Sequence, residues 1–129
     1  MDEQLRKTVA VVGASADRSK FGNKSVRAYL ERGWDVYPVN HKGGEIEGLK
    51  AYRSAGEIPV KLDRLTLYLP PRAGVAALPD IAAAQSAEFF VNPGAESDEL
   101  VAEVRRLRLK PILACSILDL GLSPSKYPD

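Results

Sequence analysis

Gly13, Ala14 and Ser15 follow directly on the apolar run Val9-Ala10-Val11-Val12, and Lys20-Phe21-Gly22 come shortly after them. Small residues at the end of a buried strand let backbone N–H groups approach a phosphate. A helix opening near Gly22 would aim the positive end of its dipole at the same place. The chemistry indicated is anion binding, and with it a nucleotide. The spacing departs from the dinucleotide fingerprint. Reading Gly-x-Gly-x-x-Gly from Gly13 needs glycines at 15 and 18, where the chain has Ser15 and Arg18, and nine positions separate Gly13 from Gly22. The expected site is a nucleotide site not built for ordinary NAD.

Three more short segments stand where a strand should end: Asn40-His41-Lys42, Pro70-Pro71-Arg72 and Asn92-Pro93-Gly94. In a doubly wound sheet the ligand lies across the carboxyl ends of the strands, so residues far apart in sequence converge there. An NAD site carries an acid at the end of the second strand to bind the ribose hydroxyls. Asn40 and Lys42 stand there instead. A lysine at that place gains ion pairing and a charge-assisted hydrogen bond if the ribose carries a phosphate. The ligand expected is a phosphorylated ribonucleotide. Arg72 reads equally as a ligand contact or as the opening of a helix, and His41, the one histidine, reads as a turn residue.

The elements that must position these residues alternate between short apolar runs and amphipathic stretches, the pattern of βαβ units around a parallel sheet. Strands are predicted at 8–12, 34–39, 49–52, 64–69, 87–91 and 111–114. A helix is predicted over 24–32, with Gly33 as a left-handed stop. Residues 40–48 read as a glycine-rich turn, and 54–57 as a brief helix. The alanine-rich stretch reaching residue 84 is helical, but Pro79 lies inside it: either the helix starts near Gly74 or it kinks. Residues 96–108 form the clearest helix, with Glu96, Asp98 and Glu99 at its start and Arg105, Arg106 and Arg108 at its end. Trp34 and Tyr37 read as packing residues. The fold class is α/β: a Rossmann-like three-layer fold with a mostly parallel sheet of about five to six strands.

At 129 residues the chain suits one domain, 1–129. Its 18 basic and 17 acidic side chains nearly cancel, so no global field draws it to nucleic acid or membrane, and any anion site must be local. The single cysteine, Cys115, excludes an intrachain disulfide framework and a multi-cysteine metal site, which suits a reducing compartment. The charged start Met1-Asp2-Glu3-Gln4-Leu5-Arg6-Lys7 has no signal-peptide character, and no stretch approaches the roughly 20 apolar residues of a membrane span. A cytoplasmic protein is expected.

The chain resembles the small coenzyme A-binding-domain proteins, a family related to the CoA-binding domain of the succinyl-CoA synthetase alpha subunit. The resemblance runs from about Lys7 to about Leu118. It is carried in order by Val11-Val-Gly-Ala-Ser15, by Lys20-Phe21-Gly22 and by Asp35-Val-Tyr-Pro-Val-Asn40. It continues through Glu45-Ile-Glu-Gly48, Tyr52, Ile58-Pro59 and Asn92-Pro-Gly-Ala-Glu96. Each motif alone is weak, and their ordered combination is specific. The resemblance implies a Rossmann-like fold binding CoA as an extended ligand. Gly13, Ala14, Ser15, Lys20, Phe21 and Gly22 would surround the pyrophosphate, and Lys42 would meet the 3′-phosphate. Val39 and Asn40 would sit beside the ribose, Leu69, Pro70 and Pro71 would flank the adenine, and Asn92, Pro93 and Gly94 would line the pantetheine path. The family often has Asn-Pro-Lys where this chain has Asn40-His41-Lys42, and Gln-Pro-Gly where it has Asn92-Pro93-Gly94.

Enzymatic chemistry has less support. Nucleophilic catalysis needs a nucleophile with a base and an orienting group, and nicotinamide chemistry needs a region to hold substrate. Neither is visible. In the synthetase relatives a phosphorylated histidine lies in a further domain that this sequence does not include. The first reading is a non-catalytic CoA or acyl-CoA binding, sensor or carrier module. The alternative is an NADP-linked oxidoreductase or its detached cofactor domain, because a 2′-phosphate and a 3′-phosphate are neighbours in space. A third reading makes Cys115, otherwise an inert strand cysteine, the partner of a CoA thiol in a mixed disulfide. The partner expected is a small molecule, with a second copy of the chain or another protein left open.

Overall fold

The structure, a computed structural model, describes residues 6–129. Its central strand β1 (Thr8–Val12) is followed by helix α1 (Phe21–Glu31), strand β2 (Asp35–Val39) and a hairpin of β3 (Glu45–Ile46) and β4 (Leu49–Lys50). A 3-10 turn (Ala55–Glu57) then leads into β5 (Arg64–Leu67), α2 (Pro71–Ala84), β6 (Glu88–Val91), α3 (Asp98–Arg106) and β7 (Pro111–Leu113). A short helix α4 (Ser116–Asp119) and a second 3-10 turn (Pro124–Lys126) close the chain.

Five strands form one sheet in the order β2-β1-β5-β6-β7, and every pairing in it is parallel. A parallel sheet is covered on both faces, which is why Val9, Ala10, Val11 and Val12 are all buried and the strand is apolar without alternation. On one face Ala10, Val12, Leu65 and Leu67 pack with Leu78 and Ile81 of α2 and Leu100 and Val104 of α3. On the other, Val9, Val11 and Val36 meet Val26 and Tyr29 of α1. Ala28, Ile117 and Tyr127 form a third small cluster that fastens the C-terminal segment to α1. Each large aliphatic side chain buried in these layers contributes about 1.5–3 kcal/mol. The three-layer α/β, Rossmann-like expectation is met, with five strands in the main sheet.

From β1 the chain moves first to one side, to β2, and later to the other, to β5. The carboxyl ends of β1 and β5 therefore flank a topological switch point, where an α/β sheet opens a crevice. Beyond β2, Tyr52 makes a single parallel bridge to Val39 and extends the sheet by one residue.

Several boundaries differ from the sequence reading, each for a local reason. Helix α1 opens at Phe21 instead of residue 24, since Gly22, Asn23 and Lys24 after Phe21 show no apolar period; Gly33, at φ +81, stops it as expected. The strand predicted at 49–52 is the second arm of an antiparallel hairpin, because Glu47 and Gly48, at φ +49 and +80, reverse the chain between Ile46 and Leu49. The strand predicted at 64–69 ends at Leu67, and those at 34–39, 87–91 and 111–114 are each one residue shorter. Helix α2 starts at Pro71, which occupies the first helical position, so Pro79 lies in the middle of the helix and the Val75 carbonyl lacks its usual donor. Helix α3 covers 98–106: Ser97 caps it, Glu96 turns back to accept the Gly94 N–H at 2.9 Å, and Arg108 at φ +62 lies past its end. Among the described residues no helix is long and apolar enough to cross a membrane.

Candidate functional site

At the switch point a cleft of about 740 Å³ opens along the carboxyl ends of β1, β2, β5 and β6. Twelve of the residues expected to hold the ligand line it: Gly13, Ala14, Ser15, Lys20, Phe21, Gly22, Val39, Asn40, Leu69, Pro70, Pro93 and Gly94. They come from four separate segments, and the parallel sheet is what brings them together.

The loop after β1 is built tightly. Gly13 adopts φ +95, and a Cβ there would lie 2.9 Å from the Leu69 nitrogen. A Cβ on Gly22 would collide with the Gly13 carbonyl oxygen, so the two glycines let the start of α1 rest on the end of β1. The N–H groups of Gly13 and Ala14 both donate to the Val39 carbonyl, at 3.1 and 3.2 Å. That corrects the expectation that these two amides face a phosphate. They tie β1 to β2 instead. The loop continues through Ser15, whose Oγ accepts the Asp17 N–H at 3.0 Å, and Asp17, whose carboxylate accepts the Ser19 hydroxyl and N–H. The Ser19 hydrogen bonds hold the Asp17 carboxyl below its ordinary pKa.

Donors for an anion lie farther on. Lys20 is the N-cap of α1 and makes no side-chain capping bond, and the first turn of α1 carries no acid. The amides of Phe21 and Gly22 at the helix start have no intrahelical acceptor. Helix α2 is likewise uncapped and without an acidic first turn, but Pro70 and Pro71 have no N–H, so the amides left open at its start are those of Arg72 and Ala73, of which Ala73 lines the cleft. Two helix N-termini thus present unsatisfied amides to one cavity. By contrast, α3 has its Ser97 cap, which accepts the Leu100 N–H at 3.1 Å, and Asp98 and Glu99 in its first turn.

Asn40 closes the β2 side. Its Nδ2 donates to the Ala14 carbonyl and its Oδ1 accepts the Lys42 N–H, at 2.9 and 2.8 Å, so the side chain locks the two loops together. Buried Asn23 performs the same task behind α1, donating to the Ser15 carbonyl and to Glu47 while accepting from Arg27.

Four expected site residues fall outside the cleft lining: Lys42, Pro71, Arg72 and Asn92. Lys42 and Arg72 are exposed, and Pro71 opens α2. Asn92 is buried, at 1% exposure, and wholly engaged: it donates to Thr66 Oγ1 and the Leu67 carbonyl and accepts the Ser116 N–H. Cys115 is half-buried and stands just before α4, past the end of β7 and outside the cleft lining, so it is not the strand cysteine expected.

The cleft also holds side chains that sequence reasoning did not place there, chiefly His41, Arg53, Ser54, Tyr68 and Asp80. Asp80 of α2 accepts the Ala55 and Gly56 N–H groups at 2.7 and 2.9 Å, fastening the segment that carries Arg53 and Ser54 to the cleft wall. Tyr68 shares a hydrogen bond with Ser116 at 3.2 Å, and burial pushes its hydroxyl pKa up to about 12, so it enters the site as a neutral phenol.

A family model described as a CoA binding domain matches residues 7–120 of this sequence. The chain belongs to this CoA-binding domain family. Among curated relatives of this CoA-binding domain, the alpha subunit of an ADP-forming acetate–CoA ligase I from Pyrococcus furiosus is 42% identical over 72 residues, covering 51% of this chain and 16% of that protein. A solved conserved hypothetical protein from Pyrococcus furiosus superposes with a TM-score of 0.78 at 32% identity, over 89% of this chain and 99% of that one. A dinucleotide-forming acetyl-coenzyme A synthetase 1 from Ca. Korarchaeum cryptofilum, solved with phosphate and ADP, superposes at 0.69 and 28% identity, over 87% of this chain and 27% of that one. The CoA-binding domain thus spans only a minor part of these ligases.

Proposed function

We propose that the chain binds coenzyme A, or an acyl-CoA, in the cleft at the carboxyl ends of β1, β2, β5 and β6, as a binding, sensor or carrier module without chemistry of its own. The observation that carries this reading is the convergence of two uncapped helix N-termini, at Lys20-Phe21-Gly22 and at Pro70, on one cleft in a CoA-binding domain. The pyrophosphate lies against the start of α1 with Ser15 and Lys20. Val39 and Asn40 flank the ribose, Leu69 and Pro70 the adenine, and Pro93 and Gly94 the pantetheine arm. Lys42 is exposed next to His41, outside the cleft lining, and adds only a screened positive charge near the rim. The relative from Pyrococcus furiosus is named as a subunit, and action alongside a partner protein belongs to this proposal.

Residue chemistry supports the non-catalytic part. Among the described residues, no nucleophile lining the cleft is hydrogen-bonded to a base: Ser15 Oγ accepts a backbone N–H, and the phenol of Tyr68 is held neutral. Calorimetric titration with CoA, acetyl-CoA, dephospho-CoA, NADP and NAD under reducing conditions tests the reading. CoA and acetyl-CoA are expected to bind with a clear preference over both nicotinamide nucleotides. Preference for NADP would replace this reading with the cofactor domain of an oxidoreductase, which the absence of an acid at the end of β2 also accommodates.

A further inference from the structure

We infer that Arg53, and not Lys42, is the residue that reads the phosphate on the ribose, and so sets the preference for a 3′-phosphorylated nucleotide; the inference rests on the CoA reading above. The end of the second strand in such folds is where the adenosine ribose is recognised, and an arginine near it accommodates a ribose phosphate. The sequence offers Lys42 for this role, but the cationic side chain that lines the cleft beside Val39, Asn40 and His41 is Arg53.

The position of Arg53 is fixed by its neighbours. Tyr52 bridges to Val39 in parallel, its N–H donating to the Pro38 carbonyl and its carbonyl accepting the Asn40 N–H, so position 53 is delivered to the end of β2. The guanidinium lies along the β2–β3 turn: Nη1 donates to the His41 carbonyl at 3.3 Å, and a Cβ on Gly43 would come 3.4 Å from Nε. The charge is also available. Among the described residues the guanidinium pairs with no carboxylate. Glu57 accepts the backbone N–H of Arg53, and Asp80, the acid in the cleft, spends both oxygens on the amides of Ala55 and Gly56. A planar guanidinium with free N–H groups matches a phosphate bidentately, which an ammonium cannot.

The test is calorimetry of CoA and dephospho-CoA on the full chain and on Arg53→Gln, Arg53→Lys and Lys42→Ala, with far-UV circular dichroism confirming the fold of each. Arg53→Gln is expected to lose roughly tenfold or more in CoA affinity while dephospho-CoA changes less than about twofold, so that the discrimination between the two ligands collapses. Arg53→Lys, which keeps the charge and loses the fork, recovers part of that discrimination. Lys42→Ala keeps the discrimination and shows only a small loss that added salt removes. Equal losses for both ligands in Arg53→Gln, or a collapse of discrimination in Lys42→Ala alone, would overturn the assignment while leaving CoA binding in place. Failure of the unaltered chain to bind either ligand would overturn the CoA reading and this inference with it.

Discussion

A methyl group on Gly22 would meet the carbonyl oxygen of Gly13, and neither partner is the far end of a flexible side chain. Gly22→Ala must therefore lift the start of α1 away from β1. The expected cost is about 1–3 kcal/mol of stability, read as a lowered Tm, together with weaker CoA binding because the amides of Phe21 and Gly22 move with the helix. Both glycines are legible in the sequence, since a small-residue turn directly after an apolar strand marks a close approach of strand and helix. What the sequence does not convey is that the Gly13 and Ala14 amides are spent on Val39. Nor does it show that Asn92 turns inward, because Asn92-Pro93-Gly94 looks the same whether its first side chain points to Thr66 or to a ligand. Arg53 is hidden because a hairpin intervenes between it and Asn40-His41, and only the fold shows that the chain returns to the end of β2.

The helices divide by how their N-termini are finished. Ser97, Asp98 and Glu99 complete the start of α3 internally, whereas α1 and α2 leave theirs to the cleft. Ser97→Ala is accordingly expected to cost about 1 kcal/mol in chemical denaturation while leaving CoA affinity unchanged. That result would separate a structural cap from the cleft-facing termini, and a parallel loss of affinity would deny the distinction. The strands are readable because a sheet covered on both faces needs unbroken apolar runs such as Val9-Ala10-Val11-Val12. The β3–β4 hairpin is not, because its strands are two residues each and its turn places a glutamate in the left-handed region. The two short C-terminal helical turns are equally hard to read: they are held by Ile117 and Tyr127 against α1, a tertiary contact with no local period.

At the scale of the molecule, one polar network ties the back of the cleft together. Thr66, Tyr68, Asn92 and Ser116 join β5, the end of β6 and the start of α4, with Thr66 and Ser116 hydroxyls 2.9 Å apart. Tyr68 makes this network sensitive to alkali. Its folded pKa is raised from 10.0 to about 12, so its stabilising contribution is complete below the unfolded value and is lost as pH rises through the folded one. Stability measured by denaturant is expected to fall between about pH 10 and pH 12. In Tyr68→Phe that slope is shallower but not abolished, since burial raises the Tyr29 hydroxyl in the same direction. An unchanged slope in the variant would remove Tyr68 from this role.

The switch point between β1 and β5, the two open helix ends and the chain's membership of a CoA-binding domain family converge on one cleft as the proposed seat of CoA. The most direct measurement is a titration of isotopically labelled protein with CoA, followed by amide chemical shifts. The shifts are expected to concentrate at Ser15, Phe21, Gly22, His41, Arg53 and Ala73. Binding that instead moved the amides of β7 and α4, and left those of the cleft unmoved, would contradict that seat.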